Sequence, residues 1–242
     1  VAQDVGGGFG IRGGVYTEFV AVMAAAKKVG KPVKWVGSRG ETFASDSHGR
    51  AIRLYGELAL DKDGRFLAMR YKWICNQGAY LTGAGPLINT ITPKLTPVGV
   101  YRTPAVYGRH YLAMTNTTPT GPYRGAGRPD NAYLIDRLVE QAARELNIDR
   151  VELRRRNLIP KDAYPYMTPT GIPYDSGDYE GLLNEVLERA EWKGFEARRE
   201  ASKKAGKLRG IGLAVFIEPA GAGGPPKDQA MLKFGSSGEL EI

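Results

Sequence analysis

The chain is nearly devoid of the residues that build zinc sites and disulfide frameworks. Among 242 residues it has one cysteine, Cys75, and two histidines, His48 and His110. A single thiol excludes an internal disulfide, and these three side chains fall short of a structural zinc set. No apolar run approaches the ~18 residues of a membrane span, and nothing reads as a signal peptide. The thiol count suits a reducing compartment, so a cytoplasmic location is expected. Dense charge of one sign is missing too. Lys+Arg 34 against Asp+Glu 26 gives +8, but the excess is spread along the chain. Arg154-Arg155-Arg156, Arg198-Arg199 and Lys203-Lys204 are interleaved with acids and read as solvated helix surface. Aromatic residues do not alternate with basic ones along the sequence as in a nucleic-acid stacking platform, so no nucleic-acid partner is expected.

What the chain has in excess is glycine, 32 residues, roughly twice the usual ~7%. Eight of these lie in two loops. The first, in residues 1–13, contains Val5-Gly6-Gly7-Gly8-Phe9-Gly10-Ile11-Arg12-Gly13. The second runs from Pro119 to Pro129 and contains Pro122-Tyr123-Arg124-Gly125-Ala126-Gly127-Arg128. Each precedes a helical pattern. The first helix is expected over Val15–Val29, with Phe19, Val22, Met23 and Ala26 at helical spacing and Gly30 and Pro32 at its end. The second is expected over Asn131–Leu146, capped by Asp130, with Ile135, Leu138, Val139, Ala142 and Leu146 buried.

Between the two loops, Val33–Val36 reads as a short buried strand. Residues 51–60 and 65–75 alternate around Asp61-Lys62-Asp63-Gly64, which marks a hairpin. Leu67, Met69, Tyr71 and Trp73 share one side of its second strand. Residues 76–103 read as an irregular ordered loop, and Val106–Met114 as a strand. Further on, helices are expected over Arg150–Asn157, from Asp178 onward and over Trp192–Ala205. Residues 160–177 form a proline-rich crossing segment, and Leu208–Ile217 and Ala230–Phe234 read as strands. Strands and helices mix without strict alternation, which favours an α+β fold of mixed sheets and packed helices. The start at Val1 and the stop within a strand pattern at Ile242 suggest an internal piece of a longer polypeptide.

Gly8-Phe9-Gly10-Ile11-Arg12-Gly13 fits G-x-G-x-x-G, so an NADP-type dinucleotide site using Gly8, Gly10 and Gly13 is one reading, with Ser38-Arg39 receiving a 2′-phosphate. A purely structural turn is another. In either case consecutive glycines expose backbone N–H groups suited to an anion or an oxo ligand. In the second loop Gly125 and Gly127 permit close backbone approach. Arg124 and Arg128 present forks for phosphate or carboxylate, unless they pair with surface acids.

Taken together, the loops are more specific. Asp4-Val5-Gly6-Gly7-Gly8-Phe9-Gly10 resembles the GGGFG motif of the molybdenum hydroxylases, the relatives of xanthine oxidase, aldehyde oxidoreductase and carbon-monoxide dehydrogenase. Pro122-Tyr123-Arg124-Gly125-Ala126-Gly127-Arg128 is similar to that family's second cofactor loop. Glu152-Leu153-Arg154-Arg155-Arg156-Asn157-Leu158-Ile159-Pro160, Tyr174-Asp175-Ser176-Gly177-Asp178-Tyr179 and Gly210-Ile211-Gly212-Leu213-Ala214 continue the likeness in order.

The resemblance implies a catalytic large subunit that buries molybdenum on a molybdopterin, in the cytosine dinucleotide form. Water-derived oxygen is placed on an electron-poor carbon, and electrons leave through iron–sulfur clusters and FAD on partner subunits, in a dimer of heterotrimers. Residues 1–160 would belong to a first molybdopterin-binding domain, 161–207 to the crossing segment and helices, and 208–242 to the start of a second such domain. Gly7, Gly8, Phe9, Gly10, Arg124 and Gly125 match cofactor-loop positions. Phe9 and Arg124 match residues whose main chain meets the molybdenum ligands. Gly13 and Ala126 match substrate-pocket positions that hold a Glu and a stacking Phe in purine oxidisers. Gly125 falls where carbon-monoxide oxidisers carry a copper-binding Cys. The family's general base would lie beyond Ile242, so Glu18, Glu41 and Glu218 are read as surface or structural acids. An aldehyde or N-heteroaromatic C–H substrate is expected.

Overall fold

The computed structural model describes residues 6–220 and 230–241; Asp4 and Val5 of the first loop motif and Ile242 lie outside them. The first helix, α1, spans Thr17–Val29 and ends at Gly30 in the left-handed region. None of its residues is buried. The buried strand expected at Val33–Val36 is absent: the segment pairs with no described strand, and Val36 is 75% exposed. Instead Ser38 caps a short helix, α2 (Arg39–Ser45), with Glu41 closing a reciprocal capping box. Ser38-x-x-Glu41 is the sequence mark of that motif, and it takes Ser38 away from the 2′-phosphate role.

The expected hairpin is present. Strand β1 (Ile52–Leu60) pairs antiparallel with β2 (Phe66–Gly78). Opposite Ala59 stands Ala68 and opposite Leu60 stands Phe66, so Leu67 is the extra residue of a bulge. The bulge resets the alternation: Phe66 is buried and Leu67 turns outward, against the expectation that Leu67 shares a face with Met69, Tyr71 and Trp73. Residues 79–104 are not a simple loop. They include two helical turns, α3 (Gly85–Ile88) and α4 (Ile91–Lys94), and bury Asn89, Thr96, Val98, Val100 and Tyr101. This connection returns the chain so that β3 (Ala105–Met114) lies parallel to β2, giving the order β1-β2-β3.

Helix α5 (Arg128–Glu145) packs across β1. A Cβ at Gly56 would stand 2.8 Å from Leu134 Cδ1, so the strand glycine provides for close approach. The core joins Met69, Tyr71, Trp73 and Cys75 of β2 to Leu134, Ile135, Val139 and Ala142 of α5. Leu146, expected in that stripe, is 40% exposed. Burial pushes the Cys75 thiol up to about 12, with Asp130 adding to the shift, as befits an inert core residue.

Helix α6 (Arg150–Asn157) is capped by Asp149. One member of its arginine triplet, Arg154, is wholly buried and not on a solvated surface. It pairs with Asp136 at 3.1 Å and Glu140 at 2.9 Å, and donates to the carbonyls of Arg150 and Leu213. Asp136 in turn accepts from Tyr101 Oη at 2.8 Å and from the Val215 N–H at 2.7 Å. Residues 208–217, expected as a strand, therefore have another anchor. Residues 211–217 alternate in burial, but the segment joins no ladder among the described residues, and these two main-chain bonds hold it.

The crossing segment forms a two-stranded ladder, β4 (Tyr166–Met167) with β5 (Pro173–Tyr174). It leads into α7 (Tyr179–Arg189), capped by Asp178 as expected, and α8 (Phe195–Lys204). Of the strand expected at Ala230–Phe234, only β6 (Lys233–Phe234) pairs, with β7 (Leu240–Glu241). The architecture is α+β. No helix among the described residues is long and apolar enough to cross a membrane.

Replacing Arg154 by Met would leave Asp136 and Glu140 facing each other without their shared cation. The expected loss is about 3–5 kcal/mol, read by urea unfolding under tryptophan fluorescence. A loss of less than ~1 kcal/mol, typical of an exposed pair, would show that the cluster does not organise the fold.

Candidate cofactor-binding loops

The two glycine loops, distant in sequence, meet in space. The Arg124 N–H donates to the Phe9 carbonyl at 3.0 Å. Beside that bond Gly10 adopts φ +93, and a Cβ there would stand 2.9 Å from the Pro122 carbonyl oxygen. Gly10 is thus glycine for two separate reasons, its backbone conformation and the neighbouring main chain.

Both loops depart from ordinary backbone geometry around this contact. Phe9 has φ 51 and Ala126 φ 46, while Gly7, Gly125 and Gly127 are also left-handed. A non-glycine residue held there costs about 1–3 kcal/mol and persists only where its surroundings over-determine it. Those surroundings are visible. Thr92 donates its hydroxyl to the Ala126 carbonyl, and Arg50 donates to the Arg124 carbonyl. The Arg50 guanidinium also lies 5.2 Å from the centre of the Tyr123 ring. On the first loop, Asp46 accepts from Tyr16 Oη at 2.7 Å and pairs with Arg12 at 3.1 Å. The ladder-like bonds of His48 to Pro119 and Gly121, at 2.9 and 2.8 Å, tie that anchor to the start of the second loop.

What the loops leave open is main-chain hydrogen-bonding capacity. Among the described residues the N–H groups of Gly8, Phe9 and Gly10 have no partner. The loops line a shallow concavity of about 380 Å³ between Phe9, Gly10 and Pro122–Ala126. Gly8 does not have a left-handed backbone, and a Cβ there would approach nothing nearer than Arg12 Cβ at 3.9 Å. The first loop therefore presents donors at an open surface, as an anion or oxo ligand requires.

The structure brings Phe9, Gly10, Arg124, Gly125 and Ala126 together, and Gly7 and Gly8 precede them in the first loop without lining that concavity. Gly13 stands apart, lining a separate cleft of about 780 Å³ with Tyr16, Glu18, Ser47 and Tyr80. Gly10 and Pro122 line both spaces and separate them. The second helix begins earlier than expected, at Arg128, with Gly127 and not Asp130 as its cap. Arg128 pairs with Glu218 at 2.5 Å, so its fork is occupied by a carboxylate. Arg124 has no ion-pair partner among the described residues. Glu41 is committed to the capping box. Sequence reasoning did not find Arg50, Thr92 and Asp46; they support the loops from separate segments, and nothing local marks them. The dinucleotide reading fails on architecture. It needs a β-α-β unit around the glycine loop, and residues 30–38 supply no strand.

Two strained glycine loops thus meet at the N-terminus of α5. The sequence profile of the molybdopterin cofactor-binding domain matches residues 1–158. The carbon monoxide dehydrogenase large chain of Hydrogenophaga pseudoflava is 36% identical over 247 residues, 100% of this chain and 31% of that protein. The 6-hydroxypseudooxynicotine dehydrogenase complex subunit gamma of Paenarthrobacter nicotinovorans is 37% identical, over 91% of this chain and 28% of its own length. Quinoline 2-oxidoreductase from Pseudomonas putida 86 superposes with a TM-score of 0.77 at 32% identity, over 84% of this chain and 26% of that one. The chain belongs to the molybdopterin cofactor-binding domain family of the molybdenum hydroxylases. It spans less than a third of the length of these relatives.

Gly10→Ala should force the loops apart and cost about 1–3 kcal/mol, with faster amide exchange at Arg124. Gly8→Ala should leave stability and exchange unchanged. Equal behaviour of the two variants would refute the contact.

Proposed function

We propose that the chain is the part of a molybdenum hydroxylase large subunit that cradles the molybdenum–pterin group. The whole protein would hydroxylate an aldehyde or N-heteroaromatic carbon with oxygen from water. One observation carries the reading: Phe9 and Gly10 present N–H groups without partners among the described residues, at the point where the two loops touch. When bound, the group supplies the redox and oxygen-transfer chemistry, and the protein supplies orientation and electrostatics. Phe9 and Gly10 would donate main-chain hydrogen bonds to ligands of the metal. Gly7 and Gly8 would keep side chains out of that space. Arg124 and Gly125 would close the cradle from the second loop, with Arg50 and Thr92 holding their backbone in place.

The substrate reading rests on Gly125, Gly13 and Ala126. Gly125 has φ +89, and a Cβ there would stand 2.3 Å from Pro129 Cγ. A cysteine at this position would meet both strain and collision, which speaks against a soft thiolate ligand for copper and so against carbon monoxide as substrate. Gly13 and Ala126 offer neither the acid nor the aromatic ring that the family resemblance associates with purines. The cytosine dinucleotide form, iron–sulfur and FAD partner subunits, a dimer of heterotrimers and a cytoplasmic location belong to the same proposal. So do a domain division at 160 and 207 and a general base outside this chain. Two relatives are a large chain and the gamma subunit of a complex, which supports partner subunits.

In the full-length protein Gly8→Val should remove most of the molybdenum and pterin while leaving the circular dichroism unchanged, because the new side chain meets ligand space and not protein. Normal molybdenum content would contradict the cradle. For the substrate, reduction of an artificial acceptor should be fastest with an aromatic aldehyde or nicotinate. Fast turnover of CO with stoichiometric copper would overturn the reading of Gly125. Preference for xanthine would overturn the reading of Gly13 and Ala126.

A further inference from the structure

The outer face of the three-stranded sheet, turned away from α5, is uncovered among the described residues and has a marked composition. In register, Tyr55, Lys72 and Arg109 form one row across the strands, flanked by Arg53 and Tyr111 on one side and Arg70 and Tyr107 on the other. The one acid among them, Glu57, is held by Arg70. Arg53, Lys72 and Arg109 have no ion-pair partner among the described residues.

Two features set this face apart from an ordinary solvated surface. Lys72 and Arg109 are direct cross-strand partners, and like charges placed opposite each other destabilise a sheet. The three tyrosines are 44–56% exposed, on a platform backed by the buried side chains of Met69, Tyr71 and Trp73. Tyrosine and arginine on a rigid support are the side chains that anchor protein interfaces. Two of the three rings already carry a cation of this chain. Lys72 Nζ lies 4.4 Å from the centre of Tyr55 and the Arg109 guanidinium 5.8 Å from that of Tyr111. The cations themselves remain available, and carboxylates are the complementary groups.

We infer that this face docks an acidic protein surface, that of a companion subunit of the same complex. The identity of the partner as a companion subunit rests on the large-subunit reading above. Carboxylates of the partner offset the Lys72–Arg109 repulsion, and the tyrosine hydroxyls hydrogen-bond around them.

The test uses the tagged full-length chain co-expressed with its companion subunits. Lys72→Glu/Arg109→Glu should lower companion recovery about tenfold or more, and Lys72→Gln/Arg109→Gln should lower it less. Circular dichroism and molybdenum content should be unchanged in both. Hydroxyl-radical footprinting should find Tyr55, Tyr107 and Tyr111 reactive in the lone full-length chain and protected in the complex. Unchanged recovery would overturn the inference, and so would protection already present in the lone chain, which would mean that its own segments cover the face. Salt-sensitive binding of a single-stranded oligonucleotide, lost in the variant while companion recovery stays normal, would overturn it too. A wild-type complex without molybdenum but with charge-sensitive recovery overturns the cofactor reading alone and supports the docking face.

Discussion

The fold hangs on one carboxylate. Asp136, in the middle of α5, receives the Tyr101 hydroxyl, the Arg154 guanidinium and the Val215 N–H. Through these bonds the end of the α4–β3 connection, α6 and the extended segment 211–217 all refer to one helix. Desolvation pushes the Asp136 carboxyl upward and the Arg154 charge opposes it. A charge pair of this kind contributes less to net stability than its geometry suggests, because both partners have left water. Its contribution here is positional. Helix α5 carries the second glycine loop on its N-terminus, so the direction in which Arg124 and Gly125 face is set by a cluster lying well outside the loop.

The cofactor loops show how strain is held. Phe9 and Ala126 occupy conformations that L-residues avoid, and neither loop could maintain them alone. Each is braced by side chains from other segments: Asp46 and Tyr16 for the first, Arg50 and Thr92 for the second. The braces reach the loops mainly through carbonyl groups, and the N–H groups of Gly8, Phe9 and Gly10 have no partner among the described residues. The loop surface offers donors to ligands that accept hydrogen bonds, and Arg124 lines the same concavity.

Much of this was legible in the sequence wherever a local rule governs. Alternation around Asp61-Lys62-Asp63-Gly64 marks the hairpin, Asp178 marks a helix start, and the two glycine motifs mark the loops that meet. The failures have a common cause. Val33–Val36 and Leu208–Ile217 have strand-like patterns, but a strand also needs a neighbour, and pattern does not supply one. Arg154 sits in a charged triplet, and only tertiary packing reveals that one of its three side chains is buried. The helix start at Arg128 was misplaced because Asp130 is a good cap, whereas Gly127, left-handed at φ 88, begins the helix from the glycine loop. The basic and tyrosine-rich sheet face is invisible in linear order. It is interleaved with an apolar face on each strand, and β3 comes from a distant segment.

The parallel pairing of β2 with β3 also orders events during synthesis. The hairpin of β1 and β2 closes through local contacts and can form early. The third strand must wait for the whole α3–α4 connection, and non-local pairing of this kind is slow. The first glycine loop waits longer still, because Pro122 and Arg124 follow β3 in the chain. For that interval the Gly6–Gly10 segment has been made but lacks its contact with the second loop. The Phe9–Arg124 contact, and the loop surface beside it, therefore form only once translation has passed the second loop.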